Sequence, residues 1–281
     1  LQDKGVAEDD FGQSRIAQVA VPSEAVLRRL DVDLRGLYLR KPEEPLEKTL
    51  PDGLQQDELG VLWRKPAGSH YYDLVHSPLD RETTVADLRR RPWPNPYDPG
   101  YTRGLRDEAI KLRQGTDCAL VLHLQDIIVH PSQYLRGFER WYTDFILEPD
   151  LMHSLLDILL ELRTELAIAA LREVGDLVDV VSSSDDVADQ RGPIVSPEMY
   201  RLFIKPRHRR YFDAIRARSS RAKILYHTCG AVTKLIPDFI DIGVDAINPV
   251  QVSAAGMDTA FLKREYGERI SFWGSVDTTR A

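Results

Sequence analysis

The sequence contains 281 residues, enough for one large domain that buries about three quarters of its unfolded surface without a disulfide or a metal ion. Its composition, 43% hydrophobic and 29% charged with 17 Gly and 17 Pro, excludes collagen-like, disordered and coiled-coil proteins. The net charge of -7 repels a phosphate backbone at long range, so nucleic acid is not an expected partner.

Cysteine usage and hydropathy bear on the location of the protein. The only cysteines are Cys118 and Cys229, too few for a disulfide framework, which favours the reducing cytoplasm. The most apolar region, residues 151–174, is interrupted by charged residues, so we predict no membrane span, and no signal peptide is visible. The chain opens with Leu and stops soon after an apolar run, so we expect the natural protein to continue beyond both ends.

The first 115 residues give few signals of regular structure. Residues 32–39 alternate loosely between apolar and polar side chains and predict a strand. Residues 41–50 and 91–96 contain too many prolines for regular elements, so we predict long connecting loops there.

From residue 116 onward, short apolar runs alternate with longer amphipathic segments, a pattern typical of βαβ units around a parallel sheet. Each run is nearly all apolar, as strands covered on both faces must be. The predicted strands span residues 118–124, 177–181, 222–227, 244–250 and 270–276.

The intervening segments predict helices. One has an apolar stripe at three- and four-residue spacing, formed by Leu151, Leu155, Leu159, Leu162, Leu166 and Ala169. A second begins at Ser196, whose side chain suits an N-cap, and runs to about Arg218 with a kink at Pro206. A shorter helix over residues 235–240 ends at Gly243.

This order of elements predicts an α/β fold, either an open doubly wound sheet or a closed (β/α)8 TIM barrel. The absence of any G-x-G from the sequence disfavours a nucleotide-binding doubly wound sheet, so we predict the barrel, as a single domain over residues 1–281. A barrel needs eight strands and the sequence supplies six, so we expect one strand before residue 1 and one after residue 281.

The active sites of TIM-barrel enzymes lie at the carboxyl ends of the strands, and in this sequence the residues at those ends are polar. His227 and Cys229 are two positions apart at one strand end, so both side chains can face the same mouth, and both atom types suit Zn²⁺. A third ligand would come from a strand outside the sequence or from a carboxylate such as Asp185. The alternative is a buried core histidine beside a small thiol.

Other strand ends supply candidates for substrate contacts. Asp185 and Asp186 follow a strand and are candidate catalytic carboxylates sharing one mouth, although one of them suits an N-cap equally well. Asn248 and Gln251 line the mouth or only close a turn around a proline, and Asp277 lines the mouth or only caps a helix.

Several of these runs, taken together, resemble a signature of the uroporphyrinogen decarboxylase superfamily. The resemblance is strong over residues 176–277, and the matching runs are residues 185–200, 204–207, 227–230, 236–238, 242–245, 248–251 and 272–277. The superfamily shares a (β/α)8 barrel and contains uroporphyrinogen decarboxylases and corrinoid-linked methyltransferases with a zinc site.

The resemblance implies zinc ligation by His227 and Cys229, with the third ligand on a last strand outside the chain. Residues 123–130 depart from the segment that marks the decarboxylases, which favours the methyltransferase branch. Tyr134 falls near the position of the decarboxylase's active-site tyrosine and is a candidate substrate contact.

We therefore predict a zinc-dependent methyltransferase that acts with a corrinoid carried by a partner protein. Its substrate would be a small-molecule methyl donor, and a homodimer is one expected assembly. The alternatives are a uroporphyrinogen decarboxylase of porphyrin biosynthesis, which takes a tetrapyrrole, and a non-catalytic binding protein with the same barrel.

Overall fold

A computed structural model of the chain describes residues 21–44, 46–69 and 71–277. Both ends of the sequence lie outside these residues, and so do the strands predicted to precede and follow it. Over the described ranges, no helix combines the length and the apolar character needed to cross a membrane.

The six strands predicted within the sequence are present and form one parallel sheet whose strand order follows the chain. Their centres match the apolar runs, while their ends shift by a few residues. In chain order they are β1 (Leu34–Tyr38), β6 (Ala119–Asp126), β7 (Val180–Ser184), β8 (Lys223–His227), β9 (Ala246–Asn248) and β10 (Ser271–Phe272).

Helices connect successive strands of this sheet and cover its outer face, which is the repeating unit of a (β/α)8 barrel. They are α2 (Val85–Arg90), α3 (Leu105–Gly115), α4 (Val129–Arg136), α5 (Phe138–Leu147), α6 (Pro149–Val174), α7 (Pro197–Met199), α8 (Lys205–Arg218), α9 (Ile236–Asp241) and α10 (Thr259–Tyr266), and a further short helix, α1 (Glu24–Arg29), precedes β1. The strands of the described ranges do not close into a ring, so the fold is part of a barrel. The predicted fold class is confirmed.

Most of the predicted apolar stripe of α6 packs into the core, but Leu162 and Ala169 are only half-buried and are not among the core residues. Leu155, Leu159 and Leu166 are buried, and Pro149 occupies the first turn, where its missing N–H has no intrahelical partner to lose. The helix is 26 residues long.

The segment after Ser196 follows the prediction at its start and departs from it near Pro206. Ser196 Oγ accepts a hydrogen bond of 3.2 Å from the Met199 amide, the N-cap that the sequence indicated. A π-helical turn, Tyr200–Ile204, then precedes α8, in which Pro206 lies in the first turn. Proline cannot donate to the ladder and its ring clashes with the preceding turn, so the irregularity falls just before it.

A small antiparallel sheet lies between residues 48 and 76, where the sequence predicted no strand. Its strands are β2 (Lys48–Thr49), β3 (Gln55–Gln56), β4 (Leu62–Arg64) and β5 (Asp73–His76). The loop predicted over residues 41–50 was wrong at β2, and the other three strands were not predicted. Strands of two to four residues are too short to show an alternating pattern. Trp63 of β4 and Val61, just before that strand, join the same hydrophobic core as Leu120 of β6.

The buried stripe of α6 generates a stability prediction. Leu159→Ala, at a position with 0% exposure, should destabilise the protein by about 2–5 kcal/mol, because it removes apolar contacts and leaves a cavity. Ile146→Ala on α5, at 75% exposure, is the control and should change stability by no more than about 0.5 kcal/mol. Urea denaturation followed by circular dichroism measures both, and equal losses would contradict the assigned burial.

Candidate metal centre

The parallel register aligns four polar side chains at the carboxyl ends of neighbouring strands. Asp126 pairs with Ser184, Ser184 with His227, and His227 with Asn248. Paired positions in a parallel sheet present their side chains to the same face. The row therefore places carboxylate, hydroxyl, imidazole and amide groups at one mouth of the sheet.

The orientation of His227 is set by Asn248. The Asn248 side-chain amide donates from Nδ2 to the carbonyl oxygen of Trp273 at 3.1 Å, which leaves Oδ1 facing His227 Nδ1 at 2.6 Å. Because Oδ1 only accepts, Nδ1 carries the proton and the lone pair of the imidazole is on Nε2. A metal-binding histidine is held in this way by an acceptor on its other nitrogen.

The lone pair of His227 faces Cys229. The distance from Nε2 to Sγ is 3.6 Å. Two ligands on a tetrahedral Zn²⁺, one nitrogen and one sulfur at normal bond lengths, lie about 3.6 Å apart. The structure therefore brings together the two residues that the sequence singled out, at a separation suited to one zinc ion.

Asp186 completes the cluster. Its Oδ1 accepts a hydrogen bond of 2.7 Å from the Cys229 amide and lies 3.9 Å from His227 Nε2. One ligand atom from each of the three residues lies within 4.8 Å of the others. Nitrogen, thiolate sulfur and carboxylate oxygen are the donors of zinc sites, so the residues present fit the ion.

The electrostatics of Cys229 favour a cation at this position. Burial, followed by the charge of Asp186 and its hydrogen bond, raises the pKa of the Cys229 thiol to about 12. The thiol is therefore protonated at neutral pH unless a positive charge stabilises the thiolate. A bound metal ion supplies that charge and releases the proton.

Asp185 does not share the mouth with Asp186, contrary to the expectation from their adjacency. Asp185 is 0% exposed, and its carboxylate accepts hydrogen bonds of 2.8 Å from the amides of Ile128 and Val129. His208 Nε2 lies 3.0 Å from the same carboxylate. These contacts place Asp185 among the helices, so its direct part in catalysis stays a prediction, and Asp186 replaces it as the nearby carboxylate.

His130, on α4, is a site residue that the sequence did not single out. Its Nε2 lies 3.9 Å from Asp186 Oδ2, and its Nδ1 lies 3.7 Å from Asp126 Oδ2. Its ring stacks on Tyr134 with 5.5 Å between centroids and 2° between planes. The four-residue spacing of His130 and Tyr134 on a helix was the available signal, but the start of α4 was not recognisable in sequence.

The pKa values of the His130 and Asp126 side chains reflect their pairing. Burial lowers the pKa of His130, but the close contact with Asp126 and its charge, with the charges of Asp186 and Asp185, outweigh burial and raise the pKa to about 9. Burial raises the pKa of Asp126, but His130, Ser184 and Arg163 together lower it below its usual value. The pair is thus ionised at neutral pH beside the metal cluster.

The remaining predicted residues lie around the cluster. Gln251 Oε1 accepts a hydrogen bond of 2.8 Å from the amide of Gly230, directly after Cys229. Gly230 has φ of +87°, and a Cβ there would lie 2.5 Å from the Asp189 carbonyl oxygen, so only glycine fits this turn. Asp277 is half-buried beyond the end of β10. Substrate contacts by Tyr134, Asn248, Gln251 and Asp277 stay predictions.

Comparison with known proteins identifies the family. Residues 131–280, more than half of the chain, match the model of the family described as uroporphyrinogen decarboxylase (URO-D), and the chain belongs to this family. The family prediction is therefore confirmed.

One solved structure similar to this chain is a methyltransferase from Methanosarcina mazei. The two are 18% identical with a TM-score of 0.58, and the likeness covers 95% of this chain and 70% of the other. At this identity the likeness shows the fold, a URO-D-like partial barrel. No protein with a curated description matches the chain.

The His130 and Asp126 pair predicts a pH dependence. Because the pKa of folded His130 is raised from 6.5 to about 9, the stability that protonated His130 contributes is complete at about pH 6.5 and is lost as the pH rises through about 9. The pair is also lost in acid, as the pH falls through the lowered pKa of Asp126. Asp126→Asn should lower the His130 pKa, because burial still lowers this pKa and the negative charge of Asp126 no longer raises it.

The measurement is an NMR titration of the His130 ring in metal-free protein. Asp213→Asn, which changes an exposed carboxyl group on α8, is the control and should leave the His130 midpoint unchanged. A wild-type midpoint near 6.5 would contradict the assigned ion pair.

Proposed function

We propose that this chain is a cytoplasmic zinc-dependent methyltransferase that acts with a corrinoid carried by a partner protein. The observation that carries the proposal is the cluster of Asp186, His227 and Cys229, in which the distance from Nε2 to Sγ fits a tetrahedral zinc ion. Membership of the uroporphyrinogen decarboxylase family and the methyltransferase with a similar fold both support an enzyme of this kind.

The residues around the cluster prepare it for a metal. Asn248 keeps the Nε2 lone pair of His227 directed at the site, and Asp186 holds the Cys229 amide. Gln251 holds the turn that follows Cys229 through its bond to Gly230. A bound Zn²⁺ would lower the pKa of a coordinated thiol or polarise a donor atom of the substrate.

The mouth also holds groups for a substrate. His130 keeps a proton at neutral pH within 4 Å of two carboxylates, and Tyr134 presents an aromatic surface beside it. The two contacts of His130 are longer than direct hydrogen bonds, which leaves its N–H groups able to donate to a bound molecule. We infer that a methyl donor is oriented between this pair and the metal cluster.

Zinc binding tests the metal assignment, and the two cysteines give a matched pair of variants. Wild-type protein should bind zinc at close to one ion per chain, and Cys229→Ser should abolish this binding, because a hydroxyl is a far poorer zinc ligand than a thiolate. Cys118→Ser, at the opposite end of its strand and in contact with the Val32 carbonyl oxygen, should bind zinc as the wild type does. Equal zinc content in both variants, measured by elemental analysis after dialysis, would overturn the proposal.

The reaction is tested by two parallel assays. Methylcobalamin with a small thiol should be demethylated by the zinc-loaded protein, seen as a change in the corrinoid spectrum, and Cys229→Ser should be inactive. Production of coproporphyrinogen from uroporphyrinogen would instead support the decarboxylase alternative. Binding of methylcobalamin without turnover would support the non-catalytic binding protein.

A further inference from the structure

Asp185 uses every one of its polar groups to join different parts of the fold. Its amide donates to the His227 carbonyl oxygen at 3.1 Å, and its own carbonyl oxygen accepts from the Tyr226 hydroxyl at 2.9 Å. Its carboxylate accepts from the two amides at the start of α4, Ile128 and Val129. Asp185 therefore ties the end of β7 to β8 and to the first turn of the helix that carries His130.

His208 supplies the remaining contact of that carboxylate. It lies on α8, is 0% exposed, and its Nε2 is 3.0 Å from Asp185 Oδ2. Since a carboxylate accepts, Nε2 carries a proton, and in a neutral imidazole Nδ1 is then the acceptor for the Tyr200 hydroxyl at 3.3 Å. The ring is thus held on both sides, and Tyr200 comes from the π-helical turn that precedes α8.

The next residue along the chain is Asp186, which faces His227 and Cys229 in the candidate metal centre. Its position is therefore set by a backbone that Asp185 anchors, and the Cys229 amide in turn depends on Asp186. A displacement of Asp185 would move Asp186 away from His227 and Cys229 and would shift the start of α4. Supporting contacts of this kind tune metal affinity without touching the ion.

We infer that His208 is a positioning residue for the candidate metal centre, acting through Asp185 on the placement of Asp186 and of α4. The inference rests on the proposed zinc site for its main readout. It assigns a functional reason to a buried histidine that no catalytic step requires.

The same helix and strand provide a matched control. Tyr211 of α8 forms a buried hydrogen bond of 3.1 Å with Ser183 of β7, next to Ser184 and two residues before Asp185. This bond links the same two elements and has the same burial, but it does not touch Asp185. Tyr211→Phe therefore reports the cost of losing a buried α8–β7 hydrogen bond without disturbing the anchor.

Two variants of His208 separate its two contacts. The side-chain amide of asparagine lies near the position of Nδ1, so His208→Asn keeps the contact with Tyr200 and loses the contact with Asp185. The longer side chain of glutamine reaches the position of Nε2, so His208→Gln keeps the contact with Asp185. We expect His208→Asn to weaken zinc binding by about ten- to a hundredfold, and His208→Gln to restore most of it. Tyr211→Phe should lower the melting temperature by about a few degrees with zinc affinity unchanged.

Zinc affinity is measured by competition with a chromophoric chelator, and Co²⁺-substituted protein gives a visible spectrum that reports the ligand geometry. Equal affinity of His208→Asn and His208→Gln would overturn the inference. So would an equal loss in His208→Asn and Tyr211→Phe, because the effect would then follow stability alone.

A metal-free measurement keeps this outcome separate from the zinc proposal. Hydrogen exchange of the Cys229 amide, which donates to Asp186, should be several-fold faster in His208→Asn than in Tyr211→Phe. If wild-type protein binds no zinc, the proposed function fails, and this exchange rate still decides the inference. If His208→Asn does not fold, His208→Gln takes its place in the comparison. Because this variant keeps the contact with Asp185, its exchange rate should equal that of Tyr211→Phe, and a several-fold faster rate would overturn the inference.

Discussion

The candidate site depends on the opposite orientation of two consecutive carboxylates at the end of β7. Asp185 turns outward to His208 and the start of α4, and Asp186 turns inward to His227 and Cys229. Consecutive side chains of a strand point to opposite faces, and the two carboxylates just past the end of β7 are divided in the same way. One residue therefore anchors the fold, and its neighbour offers an oxygen to the site.

The electrostatic balance of the mouth follows from that arrangement. Burial raises the pKa of the Cys229 thiol and the charge of Asp186 raises it further, and the same charge contributes to raising the pKa of His130. The two effects have the same cause, a carboxylate with limited access to water. A cation stabilises the ionised forms of the site, either as protonated His130 or as a metal ion between the three candidate ligands.

Neutral hydrogen bonds around the cluster keep its geometry fixed. The Asn248 amide is oriented by the Trp273 carbonyl oxygen, and it orients His227 in turn. Gln251 and the left-handed Gly230 shape the turn behind Cys229. The ligands are thus placed before any ion binds, which reduces the conformational cost of binding.

Hydrophobic periodicity and the residues at the strand ends determined the fold class, the six strands of the parallel sheet, the family and the pairing of His227 with Cys229. These features are local in sequence, because each apolar run is continuous and the two ligands are two positions apart. The tertiary structure decided which of Asp185 and Asp186 faces the mouth, and it placed His130, on helix α4, beside residues at the strand ends. It also formed the short strands β2–β5, which carry too few residues to show a period. Such features depend on contacts between residues far apart in the chain, and the spacing of residues in the sequence does not predict those contacts.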